Sequence, residues 1–541
     1  MLKRTTHAAI AVALVSGALV VTATSSGAAA SDAVASGAVT ATGGVAGPTV
    51  RTDKGVVRGS AEGTVRSFAG IPYAAAPVGD LRWAPTAPAP RWRGVRDATR
   101  PGSPCPQTGL VPPVGPHSDS EDCLYVNVTA PRASSPRPRP VMVYLHGGDH
   151  TDGEGAMNGA ARLAAQGDVV VVTVNYRLGA LGYLAHPDLE KKGGESGNYG
   201  FLDQQAALRW VRHNAAAFGG DPGNVTLFGQ SAGATSTCAH LVAPTSAGLF
   251  HRAILQSGAC TRADATADRA DALRQGEATA RDIEETHGID DWREASPEQL
   301  VHPFGTGPHY GPVYGGALLP RTPQQALASG EFNRVPVLQG ITRDENLAFA
   351  YNMELMKRRS TGDPDAVLDE RDYRTRLDAD FGEEQARAIA AEYPIGAHDG
   401  SPALALGAAL TDADHGRATV ATGEALARHV PTYTYEFADD PTPWYADPAY
   451  PEPSFPAGAM HTFELPYLFE LAAHRPLDAR QRALSAAMID VWSGFARTGR
   501  APWKPGTGSA LNAQSLASGP GGIRPVDFAK EHHDSFWKAL G

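Results

Sequence analysis

NVTLFGQSAGA, residues Asn224–Ala234, is a β-rich run that ends on a serine set between two glycines. Val225–Phe228 reads as a strand. Gly229-Gln230-Ser231-Ala232-Gly233 fits G-x-S-x-G, the pattern in which a strand turns sharply into a helix and holds one serine at the apex. Gly229 and Gly233 fall where so tight a turn leaves no room for a Cβ. Ala232–Leu241 can run out as the helix. The pentapeptide also arises by chance in Gly- and Ala-rich chains, so its surroundings must carry the reading.

Those surroundings alternate strand and helix. Upstream, Pro140–Leu145 (PVMVYL) and Val169–Val174 (VVVVTV) are near-continuous apolar runs, as strands buried on both faces read. Asp203–Phe218 has helical spacing, with Ala206, Leu208, Val211 and Ala215 on one side. Downstream come Ala253–Gln256 (AILQ), Val335–Gly340 (VPVLQG), Thr432–Phe437 (TYTYEF) and a late amphipathic helix over Ala483–Ala496. The alternation predicts an α/β fold, a large and mostly parallel central sheet flanked by helices on both faces. Two charged, helix-like insertions, Ala263–Gln299 and Asp363–Tyr393, interrupt it. Thr49–Arg66 reads as a hairpin, and Pro-rich loops follow it to about Asp122.

The chain has 541 residues, 42% of them apolar and 19% charged, which are globular values. Its net charge is −11 with acids and bases interspersed, so no basic stripe argues for nucleic acid. Residues 1–30 read as a secretory signal: Lys3 and Arg4, the apolar run Ala8–Val21, then Ala28-Ala29-Ala30 as cleavage site. The run is too short for a spanning helix, so a secreted, extracellular protein with no stable membrane insertion after cleavage is expected. Residues 31–48 read as a disordered leader and 49–541 as one domain. Four cysteines, Cys105, Cys123, Cys238 and Cys260, suit disulfides in an exported chain and allow three pairings, of which Cys105–Cys123 is the local one. None has metal-site spacing.

A serine hydroxyl needs an imidazole to take its proton, and the imidazole needs a carboxylate to fix its tautomer. With 18 histidines, composition cannot choose among them. Wider wording can. Phe68-Ala69-Gly70-Ile71-Pro72-Tyr73-Ala74, Ser120-Glu121-Asp122-Cys123-Leu124-Tyr125-Val126-Asn127, Asn175-Tyr176-Arg177-Leu178-Gly179, Phe218-Gly219-Gly220-Asp221-Pro222 and Gln256-Ser257-Gly258 stand in order along the chain. In these motifs the chain resembles the type-B carboxylesterase family, which includes the cholinesterases and fungal lipases. The resemblance covers nearly all of the mature chain and implies the α/β-hydrolase fold with helical insertions.

By that resemblance Ser231 is the nucleophile. Ile341-Thr342-Arg343-Asp344-Glu345 is similar to the family's acid motif and puts the carboxylate on Glu345, with Asp344 as the alternative. Asn346 replaces a usual glycine there. Gly458-Ala459-Met460-His461, followed by Glu464-Leu465-Pro466-Tyr467, resembles the histidine motif and makes His461 the general base and acid. His146-Gly147-Gly148 after a buried strand resembles the oxyanion-hole motif, with backbone N–H donors from Gly148, Asp149 and Ala232. Asp149 stands where a third glycine is usual. Its carboxylate would oppose a developing oxyanion unless it points away or is paired, with His150 or a nearby arginine as partner. Arg82 with Glu121, and Arg177 with Asp203, resemble structural ion pairs of the family. Cys105–Cys123 matches a widespread family disulfide, and Cys238 and Cys260 are left either bonded or as buried thiols.

Two departures bear on substrate. Gln230 stands where cholinesterases carry an acid, and the Cys105–Cys123 loop has no aromatic face for a quaternary ammonium. Choline esters are therefore not the expected substrates. The resulting expectation is a secreted serine carboxylesterase acting on a small-molecule ester through an acyl-enzyme, with no cofactor, metal or nucleic-acid partner. Its rivals are an interfacial lipase, with Ala263–Gln299 as lid, and a non-catalytic binding protein on the same fold.

Overall fold

A computed structural model describes residues 47–109, 115–190, 194–262, 267–302 and 306–541. The signal segment, nearly all of the leader and the first four residues of the Ala263–Gln299 insertion lie outside the described residues.

An 11-stranded sheet runs through the molecule in the spatial order Arg524–Pro525, Gln514–Leu516, Thr432–Phe437, Val337–Thr342, Arg252–Gln256, Gly220–Gln230, Arg139–Leu145, Val170–Val174, Tyr125–Pro131, Val65–Pro72, Ser60–Glu62. Neighbours from Gln514–Leu516 through Val170–Val174 pair in parallel, and those at the two edges pair antiparallel. Why the central strands read as unbroken apolar runs is visible in the packing. Val141, Val143 and Leu145 enter one core cluster while Met142 and Tyr144, between them, enter the other. Successive side chains point to opposite faces, and both faces are covered, so no position along the strand is left for a polar residue. Each such fully buried aliphatic side chain contributes roughly 1.5–3 kcal/mol.

The elbow strand is longer than its apolar run, because the pairing continues back to Gly220. It ends at Gln230, and the helix Ala232–Val242 starts one residue past Ser231. The helix expected over Asp203–Phe218 begins earlier, at Tyr199, and tightens into a 3₁₀ turn after Asn214. The expected single hairpin is two: Thr49–Arg51 with Val56–Arg58, and Ser60–Glu62 with the long strand Val65–Pro72. The insertions are helical, Arg269–His287 in the first and Glu370–Glu392, broken by Gly382 at φ 76°, in the second.

The two family-type ion pairs are structural. Arg177 grips Asp203 through Nε and Nη2, each at 2.8 Å, with both side chains buried. Arg82 binds both oxygens of Glu121. Sulfurs at bonding distance join Cys105 to Cys123 and Cys238 to Cys260. The second pair, left open by the sequence, ties the elbow helix to the segment after the next strand.

Candidate active site

Ser231 sits at φ 56°, ψ −124°, a conformation that costs an ordinary residue of order 1–3 kcal/mol. The surroundings impose it. Its N–H donates to the carbonyl of Gln256 on the neighbouring strand (2.8 Å), and its own carbonyl accepts from Ala234 and Thr235 in the first helical turn (2.9 and 3.0 Å). The flanking glycines are required sterically: a Cβ on Gly229 would lie 2.4 Å from the Gly233 backbone, and one on Gly233 would lie 2.0 Å from the Leu145 carbonyl oxygen.

The imidazole arrives from a loop 230 positions away. His461 Nδ1 lies 2.5 Å from Glu345 Oε2. The other oxygen of Glu345 accepts the Thr342 N–H at 2.9 Å. Glu345 is wholly buried. Burial alone pushes its carboxyl up, but the imidazoles of His415 and His461, and the hydrogen bond to His461, outweigh it and hold it at about 2. An ionised Glu345 places the ring proton of His461 on Nδ1 and leaves Nε2 as an acceptor. That nitrogen faces the serine strand's last residue, 3.2 Å from the side-chain Nε2 of Gln230, whose N–H donates to it. Asp344, the alternative acid, is engaged elsewhere: it pairs with Arg343 at 2.8 Å and accepts the Ala459 N–H at 2.9 Å.

The loop after the Arg139–Leu145 strand turns through three consecutive positive φ values, Gly148 at 104°, Asp149 at 52° and His150 at 56°. Beneath it, His146 stacks on Tyr176 at 4.4 Å, and the Tyr176 hydroxyl donates to the His146 carbonyl at 2.6 Å. Among the described residues no backbone acceptor takes the N–H of Gly148 or Asp149. Ala232 is the first residue of its helix, so its N–H has no partner within that helix either. The Asp149 carboxylate is paired, but neither with His150 nor with an arginine. Its partner is His309, at 3.4 Å. His150 is buried against Ser236 (Nε2 to Oγ, 3.0 Å), and burial drives its imidazole down to about 3, which removes it as a counter-charge.

Ser231, Ala232, Asp149 and His309 line a narrow cleft that also holds Arg262 and Gly311. The last three of these, His309, Arg262 and Gly311, also line an adjoining cavity of about 990 Å³ with aromatic walls at Tyr183, Tyr310 and Phe381. A chamber of that size accommodates an ester substantially larger than the reacting group.

One neighbour of the site has no signal in the sequence. The short π-helical turn Asp412–Gly416 brings the buried His415 to 5.8 Å, ring to ring, from His461, and Arg262 Nη1 lies 2.9 Å from its Nε2. Donor atoms of Glu345, His415 and His461 all lie within 4.8 Å of one another. A cation there would have to displace both the Glu345–His461 hydrogen bond and the guanidinium of Arg262. Glu464, three residues after His461, is the other group that the sequence did not single out for its chemistry. Burial pushes its carboxyl up to about 7, the charge of Glu345 adds to the rise, and Gln256 Nε2 donates to it at 3.0 Å.

Comparison with known proteins covers most of the chain. The family model described as "Carboxylesterase family" matches residues 46–516. A para-nitrobenzyl esterase of Bacillus subtilis (strain 168) is 35% identical over 473 residues, 83% of this chain and 90% of that protein. A fumonisin B1 esterase of Sphingopyxis macrogoltabida is 37% identical over 432 residues, 77% of this chain and 74% of that protein. A solved structure of a PNB esterase superposes with a TM-score of 0.71 at 32% identity, covering 90% of this chain and 99% of that one.

Proposed function

The chain belongs to the carboxylesterase family and is a carboxylic ester hydrolase, and on that premise we propose that it works as a serine esterase through an acyl-enzyme, with Ser231, His461 and Glu345 as triad. Ser231 Oγ attacks the ester carbonyl as Nε2 of His461 takes its proton. The buried, ionised Glu345 stabilises the resulting imidazolium and keeps the ring in register. The carbonyl oxygen, now an anion, is held by the N–H groups of Gly148, Asp149 and Ala232, each such donor contributing about 2.7–4 kcal/mol in the transition state. His461 returns the proton to the leaving alcohol, then activates water to release the acid.

The observation that carries this reading is the Glu345–His461 contact beside Gln230, the residue that precedes the strained Ser231. Replacing Ser231 by Ala tests it. Turnover of a p-nitrophenyl ester should fall by about 10⁴-fold or more with the melting temperature unchanged. Retained turnover refutes the assignment.

We also propose export, with cleavage after Ala30. The expected signal segment supports this, as do the two disulfides, which suit an oxidising compartment. An exported protein whose first residue is Ser31 is the expected result, and retention in the cytosol with residues 1–30 intact would contradict it. Among the described residues no helix is long and apolar enough to cross a membrane. The large cavity, with aromatic walls and scattered charges, supports a soluble small-molecule ester as substrate.

A further inference from the structure

At the opposite end of the central strands from Ser231, four arginines line one hollow. The parallel strands Arg139–Leu145 and Gly220–Gln230 carry the candidate active site at their C-terminal ends and begin at this hollow. The 11 residues of the second strand put roughly 30 Å between the two places. The hollow, about 440 Å³, is lined by Arg66, Arg132, Arg137 and Arg139, with Ser134 and Gly219 among its other walls.

The charges there are poorly matched. Arg139 is buried to within 7% and binds Asp168 (2.6 Å) and the Ala133 carbonyl (2.8 Å). Asp168, itself 58% exposed, is the one carboxylate bonded to any of the four among the described residues. Arg66 reaches the Phe218 carbonyl through Nη2 at 2.8 Å, yet its Nε is buried with no acceptor. Among the described residues the Arg132 guanidinium donates only to the carbonyl of Gly63, at 3.2 Å. Arg137 comes from the loop sequence Arg132-Ala133-Ser134-Ser135-Pro136-Arg137-Pro138-Arg139, and its guanidinium bonds to no other described residue. Arg66 Nη2 and Arg139 Nη1 converge, lying 3.6 and 3.8 Å from the point where a Cβ on Gly219 would sit. Burial and the charge of Arg139 both make the protonated Arg66 less favourable.

Arg66 and Arg139 are brought close together with one carboxylate between the four arginines, and the exposed Arg132 and Arg137 line the same hollow, so positive charge is concentrated there in a chain whose net charge is −11. An anion offsets it. Forked guanidinium donors suit the tetrahedral oxygens of phosphate or sulfate, which can accept from several at once. We propose that this hollow is a binding site for a multiply charged oxyanion, a phosphate or sulfate group. The site is a local hollow of about 440 Å³. The ligand enters with this group and fills no more than the hollow.

Isothermal titration of the full exported chain with inorganic phosphate and with sulfate, against chloride as control, tests the site. Saturable binding of one anion per chain is expected. Arg137→Gln, which removes no internal bond, should weaken it about tenfold, and Arg66→Gln likewise. Arg91→Gln, at an exposed arginine elsewhere, should bind as the unaltered chain does. Ester hydrolysis should be the same in all three variants. Glycerol phosphate distinguishes the source: tighter binding than inorganic phosphate points to a group carried on a larger molecule, and equal or weaker binding to the free ion. No saturable heat, or unchanged affinity in both Arg137→Gln and Arg66→Gln, overturns the proposal.

Discussion

His461 and His532 are both bonded to buried carboxylates, and they are built for opposite ends. His461 has one acid, Glu345, and keeps a quarter of its side chain exposed. His532 has two, Asp412 on Nδ1 at 2.6 Å and Glu436 on Nε2 at 2.9 Å, and is buried. Burial alone would lower the His532 imidazole, but the hydrogen bonds and charges of the two acids reverse this and lift it to about 10. Both its nitrogens are donors, so no lone pair is left for chemistry. The two groups are linked: Asp412 opens the π turn that also carries His415, the neighbour of His461. One carboxylate, with a second nitrogen that keeps its lone pair and only the Gln230 amide against it, suits the proton carrier proposed above. Two carboxylates and no opening make a fixed cation that pins the C-terminal segment to the sheet.

The sharpest way to break that contrast is to remove one member of the histidine–carboxylate group at each place. Glu345→Gln should lower kcat by about 10³–10⁴-fold, because the amide no longer holds the Nδ1–H tautomer or stabilises the imidazolium. Its KM should change little. His532→Gln should leave kcat per folded molecule within about threefold of the original. It should cost roughly 3–5 kcal/mol of stability in denaturant titration, since it strands two buried carboxylates. Comparable losses of kcat from both variants would mean the two sites are not functionally distinct.

The same contrast has a pH signature. The folded-state pKa of His532 is raised, to about 10, above the ordinary imidazole value of 6.5. Its stabilising contribution is therefore complete below about pH 6.5 and is lost as pH climbs through about 10. The stability gap between the original chain and His532→Gln should narrow across that interval. Glu345 has the opposite sign: its pKa is depressed to about 2 from 4.5, so its contribution is present above pH 4.5 and disappears as the solution is acidified through about 2. A gap for His532→Gln that stays constant from pH 6.5 to 10 would contradict the fixed-cation assignment.

The smallest expected effect concerns the third part of the site. Asp149→Asn removes a carboxylate beside the proposed oxyanion donors while preserving the backbone N–H. Because His309 already pairs with this carboxylate, kcat should rise only about threefold. A fall in kcat would show that the Asp149–His309 pair supports the loop rather than opposing the anion.

What the sequence disclosed, and what it did not, follows from how local each feature is. The elbow, its two glycines and the apolar strand runs are encoded within a few adjacent residues, and Thr432–Phe437 appears with the bounds expected of it. The strand Tyr125–Pro131 lay unmarked because its burial alternates at an antiparallel edge and its start abuts the Pro-rich loops. Glu345 and His461 were legible through flanking motifs, not from their own identity. His415 had no such help, as one of 18 histidines placed by a turn of five residues. The Asp149 partner was missed for a related reason: His309 lies 160 positions away, whereas the neighbouring His150 turns into the core. The Asp412–His532–Glu436 group joins residues about a hundred positions apart, and nothing short of the folded chain assembles it.

The central claim is that one serine, activated by the imidazole at 461, carries the acyl group. Inactivation by a p-nitrophenyl organophosphate, followed by peptide mass spectrometry, addresses it most directly. One phosphoryl group per chain on Ser231, with activity lost in proportion and labelling slowed about a thousandfold or more in His461→Ala, is the predicted result. Full inactivation with the adduct on another residue, or labelling of Ser231 at an undiminished rate in His461→Ala, would contradict the account.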